Sequence, residues 1–131
     1  MTAARAFLVI GVAVAAGGLG CSNADVSAPS RTARQFVADI RAGDGRAACA
    51  LLSEQARSAA EGMGDNSCAE LITDLKEPGT AVQEAEVWGD TAQVRIGSDV
   101  LFLRRSDATW WITAAGCTAR PHRPYDCEVQ A

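Results

Sequence analysis

Five cysteines carry most of the reactive chemistry in this chain: Cys21, Cys49, Cys68, Cys117 and Cys127. A thiol can be acylated, oxidised to a disulfide, bound to a metal or used as a nucleophile. Spacing narrows the choice. No two cysteines form the close C-x-x-C arrangement of zinc sites, so no metal is expected. Nucleophilic use needs a base at hydrogen-bond reach. The single histidine, His122, lies between Pro121 and Pro124 in a stretch that reads as a surface loop. Cys21 stands apart, directly behind an uncharged run. The other four make an even set, which in a small exported domain reads as two disulfides. Of the three pairings that four cysteines allow, Cys49–Cys68 and Cys117–Cys127 are favoured, because each joins residues of one local unit.

The remaining polar residues offer no catalytic constellation. Tyr125 is the only tyrosine and sits beside Cys127, which suits packing. Asp90, Asp99 and Asp107 fall where turns are expected. Glu84 and Glu86 share one face of an expected strand, the pattern of a solvated face rather than an acid–base dyad. Arg104-Arg105 reads as an edge or loop pair. No phosphate loop or dinucleotide fingerprint is present, so no cofactor is expected. The tryptophans are more informative. Consecutive residues of a strand point to opposite faces, so Trp110 and Trp111 must separate. Ile112 and Ala114 would share Trp110's face and are apolar, which assigns Trp110 to the core. Trp111 is then the residue left for a binding surface.

These residues need a setting, and the N-terminus supplies the first part of it. Residues 6–20 contain no charge, follow Arg5 and end in Gly17-Gly18-Leu19-Gly20. A basic start, an apolar centre and small residues before a cut are the layout of a secretory signal peptide. The run is shorter than the roughly 20 apolar residues of a membrane-spanning helix. Leu19-Gly20-Cys21 resembles the lipobox of bacterial lipoproteins, although position −3 holds Gly18 where that family usually has Leu. The resemblance implies diacylglyceryl transfer to the Cys21 thiol and cleavage just before it. Residues 1–20 are therefore read as signal peptide. Residues 21–30, small and polar, are read as the lipidated Cys and a flexible tether. Residues 31–131 are read as one domain.

Composition limits what that domain can do. Without Arg5, 11 basic and 16 acidic residues remain, a net charge of −5. With no basic cluster, nucleic acid is not expected as a partner, and attachment to anionic lipid would have to be covalent rather than electrostatic. The 48% hydrophobic content includes 26 alanines, so the core is modest and covalent staples help a domain of this size.

Along the domain, helical patterning comes first. Thr32 is read as the cap of a helix carrying Ala33, Phe36, Val37 and Ile40 on one face. A short helix through Ala47–Leu52 carries Cys49, Ser53 is read as the cap of a third, and Ser67-Cys68-Ala69-Glu70 as a capping box. Cys68, Leu71, Ile72 and Leu75 then repeat at helical spacing. From Thr80 the period becomes two, with strands expected at 82–88, 92–96, 100–104 and 110–115 and a loop-like tail beyond. The expected fold class is α+β: N-terminal helices on a curved antiparallel sheet of about four strands.

The segment Arg41-Ala42-Gly43-Asp44, the run Ala48-Cys49-Ala50-Leu51-Leu52 and the hairpin Val87-Trp88-Gly89-Asp90-Thr91 resemble parts of NTF2-like (SnoaL/cystatin-like) domains. The ending Trp110-Trp111-Ile112-Thr113, with Pro124-Tyr125-Asp126-Cys127, is similar to small actinobacterial lipoproteins of that kind. The resemblance implies a cone of sheet around helices and no particular activity. The expectation is a membrane-anchored envelope lipoprotein on the outer face of the cell membrane. Its domain would bind an envelope protein or apolar ligand without catalysis. The alternatives are a small NTF2-like isomerase or dehydratase, or a purely structural envelope component.

Overall fold

The computed structural model describes residues 24–62, 64, 66–75, 79 and 81–131. The signal-peptide reading and Cys21 lie outside these residues. Four helices, α1 (Ser27–Arg41), α2 (Gly45–Ala50), α3 (Glu54–Glu61) and α4 (Cys68–Thr73), precede five strands, β1 (Val82–Trp88), β2 (Thr91–Ile96), β3 (Asp99–Ser106), β4 (Thr109–Arg120) and β5 (Arg123–Gln130). The strands form one antiparallel sheet in the order β1-β2-β3-β4-β5. The fold is α+β, as expected from the change of hydrophobic period.

Helix α1 starts earlier than its sequence suggests. The tether was expected to run to residue 30, with Thr32 as cap, yet the helix begins at Ser27 and buries Pro29 and Ser30. The missing N–H of Pro29 costs nothing here, because first-turn N–H groups have no intrahelical partner. Thr32 is interior to the helix, and its hydroxyl donates to the Ala28 carbonyl. Ala33, Phe36, Val37 and Ile40 form the buried stripe. The helix ends at Gly43, whose φ of 72° is the left-handed conformation of a helix stop. Asp44 then accepts the Ala47 N–H at 3.0 Å and starts α2. Ser53 caps α3 through the Ala56 N–H, and Ser67 with Glu70 forms the complete capping box of α4. These last two starts are where the sequence puts them.

The sheet has five strands, not four. The expected tail loop is the far half of β4 and all of β5. Tyr125, Cys127 and Val129 alternate with Asp126 and Glu128, and that short period is the strand signal the prolines obscured. Pro124 is tolerated because β5 lies at the edge of the sheet.

The core lies between the helices and one face of this sheet. Phe36, Leu52, Ile72, Leu101, Leu103 and Ile112 are its largest fully buried side chains, along with Ile96. Trp110 joins them at 7% exposure. The hollow between α1 and the sheet, lined by Phe36, Ile40, Leu75 and Leu101, measures about 10 Å³, room for about one water-sized sphere.

Two disulfides staple the chain. Cys49–Cys68 joins the end of α2 to the start of α4, with Cα atoms 6.2 Å apart. Cys117–Cys127 crosses between paired positions of β4 and β5, with Cα atoms 4.0 Å apart. Both are the favoured pairings. Two disulfides fit an exported or extracellular protein.

Candidate functional site

Strand β4 is irregular, and its irregularity decides which side chains face outward. Phe102 pairs with Ala114 while Leu103 pairs with Ile112, so β4 carries one extra residue there. A second extra residue lies between the pairs Val100–Cys117 and Phe102–Ala114. Gly116 has a φ of 64° in this second bulge, a conformation glycine adopts without steric cost. The consequence corrects one expectation. Ala114 does not share Trp110's face. The first bulge turns it outward, where it clusters with Val100 and Cys117.

Trp110 and Trp111 separate as strand geometry requires. Trp110 is buried among the core residues, and Trp111 is half-buried on the other side of the sheet. That outer face carries a second, smaller apolar cluster. Phe102 and Tyr125 meet edge to face with ring centroids 5.1 Å apart. They pack on Val100, Ala114 and the Cys117–Cys127 bridge. Gln93 Nε2 donates to Tyr125 Oη at 3.5 Å.

Trp111 itself lines a groove of about 770 Å³, with Thr113 behind it, Arg104 and Ser106 on one wall and Glu54 and Arg57 of α3 on the other. The α3 wall is fixed by the backbone. Ile112 donates to the Leu51 carbonyl at 2.9 Å, and the Ser53 N–H donates to the Ile112 carbonyl at 2.8 Å. The α2–α3 connection therefore extends the sheet beside β4 with one parallel bridge at Leu52. A second hollow of about 360 Å³ lies over Phe102 and Tyr125 and shares Thr113 with the groove.

The other sequence candidates are placed as follows. Asp90 is a turn residue whose carboxylate accepts from Arg105 at 2.9 Å, and Arg105 also stacks over the Trp110 ring at 5.7 Å. Glu84 and Glu86 are exposed, and Glu84 lies 3.6 Å from Arg95. His122 is exposed in the β4–β5 turn, far along the sheet from Trp111. Arg120 and Asp126 form an exposed ion pair beside that turn. Two carboxyl groups are held below the ordinary carboxylate range. Asp25 is lowered by the Ser27 hydroxyl and N–H, and Glu70 by the Ser67 N–H and hydroxyl. Both serve helix starts and neither faces the groove. Among the described residues, no three of His, Cys, Asp and Glu converge as metal ligands, and no helix is long and apolar enough to cross a membrane.

The sequence placed Trp111 on the face opposite Trp110 but did not indicate Phe102 or the outward turn of Ala114. Phe102 stands in a run of apolar residues, Val100 to Leu103, so periodicity could not assign it a face. The signal for Ala114 was Gly116, a glycine inside a strand pattern, which marks a bulge. Searches against family models, curated proteins and solved structures found nothing that matches this chain.

Proposed function

We propose that this chain is an exported lipoprotein, anchored through Cys21 to the outer face of the cell membrane, whose domain binds an envelope protein on the outer face of its sheet without catalysis. The observation that carries this reading is the outer face of the sheet, where half-buried Trp111, Phe102 and Tyr125 flank two adjoining hollows. Partly exposed aromatic anchors beside arginines are the composition of protein-binding surfaces. Fold-wise, we read the domain as a filled relative of the NTF2-like cone; the support is helices on one face of a sheet whose fourth strand is twice bulged. The helix-side hollow of about 10 Å³ leaves no room there for an apolar ligand, so the reading places binding on the outer face. The uncharged run before Cys21 and the two disulfides support export and anchoring.

A photoreactive amino acid at position 111, introduced into the full-length protein in its own cells, tests the surface. The expected result is a discrete protein adduct from position 111 and none from position 122 at the opposite end of the sheet. Equal labelling from both positions would show that Trp111 marks no interface. Intact-mass analysis of the membrane fraction tests the anchor, and a soluble mature form with a free Cys21 thiol would end that part of the reading.

A further inference from the structure

We infer that the end of the sheet formed by the β1–β2 and β3–β4 turns rests on the lipid surface, with Trp88 and Val26 as its interfacial contacts; the inference builds on the Cys21 anchor proposed above. Trp88 and Val26, at 55% and 39% exposure, are the two large hydrophobic residues left exposed among the described residues. The fold brings them to one end. Trp88 closes β1 opposite Thr91, next to the Gly89-Asp90 turn. Val26 immediately precedes α1, and its neighbours Asp25 and Ala28 line one hollow with Val87, Gly89 and Ala108. Helix α1 then runs away along the sheet, so that Ile40 reaches Asp99 and Leu101 near the opposite turns.

The covalent reach of the anchor selects this end. Cys21 and Ala24 are three residues apart, a span of at most about 10 Å. The eight residues of β3 alone run about 26 Å from one set of turns to the other. An anchor on Cys21 therefore holds the Ala24 end against the headgroups and keeps the far turns away from them. Exposed singly, one apolar residue means little; here Trp88 on the outer face and Val26 on the helix side both stand at the tethered end. An indole is suited to it, because its apolar body and polar N–H favour the membrane–water interface. The charges nearby carry no basic excess. Arg105 is paired with Asp90, and Asp25, Asp107 and Arg104 stand at the same end. The contact is therefore one of interfacial burial, not attraction to anionic lipid, and should survive high salt.

The test uses the full-length protein purified from membranes. It is reconstituted into vesicles of phosphatidylethanolamine and phosphatidylglycerol carrying brominated acyl chains, which quench nearby indoles. Acylation of Cys21 is read on the same sample by intact mass. The expected result is strong quenching that persists in high salt, and loss of most of it in Trp88→Ala at an unchanged melting temperature. Val26→Asp, which leaves all three indoles in place, should also reduce it. An acylated protein with no quenching, or with the same quenching in Trp88→Ala, overturns the inference and leaves the anchor standing. An unacylated protein removes both. Protection of Trp88 from the bromolipid in a sample that sediments as a dimer would assign the contact to a second copy and equally overturn it.

Discussion

Trp110 and Trp111 are neighbours in sequence and perform opposite tasks in the fold. Trp110 fills the core beside Ile112 and Val87, and truncating a buried tryptophan costs about 3–5 kcal/mol. Trp110→Ala should therefore unfold at much lower temperature than the native protein. Trp111→Ala, half-buried on the outer face, should stay within about 1 kcal/mol of it. Thermal melts of the two variants compare the roles, and equal losses would make Trp111 a core residue. At Glu70 the effect is electrostatic. Its carboxylate accepts the Ser67 N–H at 2.8 Å and the Ser67 hydroxyl at 3.0 Å, so its folded value lies below its unfolded one. A lowered carboxylate stabilises the fold above its unfolded pKa, and that contribution is lost as pH falls through the folded value. The advantage of the native protein over Glu70→Gln should be full at neutral pH and shrink as pH falls below the ordinary carboxylate range. Urea midpoints at neutral and acidic pH check it; an advantage that grows on acidification would contradict the cap's role.

Among the elements, α2 and α4 depend on a close approach that only glycine permits. A Cβ at Gly45 would stand 2.2 Å from the Ala69 carbonyl oxygen, which is backbone and cannot rotate away. Gly45 opens α2, and Cys49 at its other end is bridged to Cys68 of α4, so the two helices cannot simply separate. Gly45→Ala should then destabilise by about 1–3 kcal/mol, the usual cost of forcing atoms into a packed contact. Denaturant unfolding measures this, and a neutral outcome would mean that α4 can slide. β4 shows the same dependence on backbone in the sheet. Its two bulges re-aim Ala114, carry the strand on to its bridge with β5 and leave the Phe102–Tyr125 pair on the open side.

At the scale of the whole molecule, the two staples cross-link elements that also pack directly on one another. Cys49–Cys68 closes a loop of 19 residues and Cys117–Cys127 one of 10. In the chain-entropy view each contributes about 3 kcal/mol. Replacing Cys49 and Cys68 together by serine should lower stability by about that amount while the sheet persists. Replacing Cys117 and Cys127 should expose β5 to proteolysis first, because that strand is held at the edge. Limited proteolysis with mass mapping distinguishes the two, and first cleavage within α1 in either variant would show that the staples do not act locally. The molecule is polar in a second sense. All three tryptophans lie near the end where the chain leaves for Cys21, with Trp88 paired to Thr91, Trp110 to Arg105 and Trp111 to Arg104. The opposite end carries His122 and the Arg120–Asp126 pair.

What the sequence determined by itself was local. The α+β order follows from apolar spacing, which shifts from about 3.6 residues to two near Thr80. Ser53 and Ser67 announce helix starts because their hydroxyls accept the otherwise unpaired N–H groups of the next turn. The disulfide pairs were legible because each joins neighbouring elements. The separation of Trp110 from Trp111 was fixed by the pleat of any strand. Tertiary structure decided the rest. Burial of Pro29 and Ser30 drew residues 27–30 into α1, whose start Asp25 marks only through its bonds to Ser27. The fifth strand formed because β4 offered an edge and a cysteine to meet Cys127. The direction of Ala114 depended on a bulge, since one inserted residue reverses every face that follows it. The gathering of Trp88 and Val26 at one end arises from residues more than sixty positions apart, and only the packing of α1 along the sheet brings those ends together.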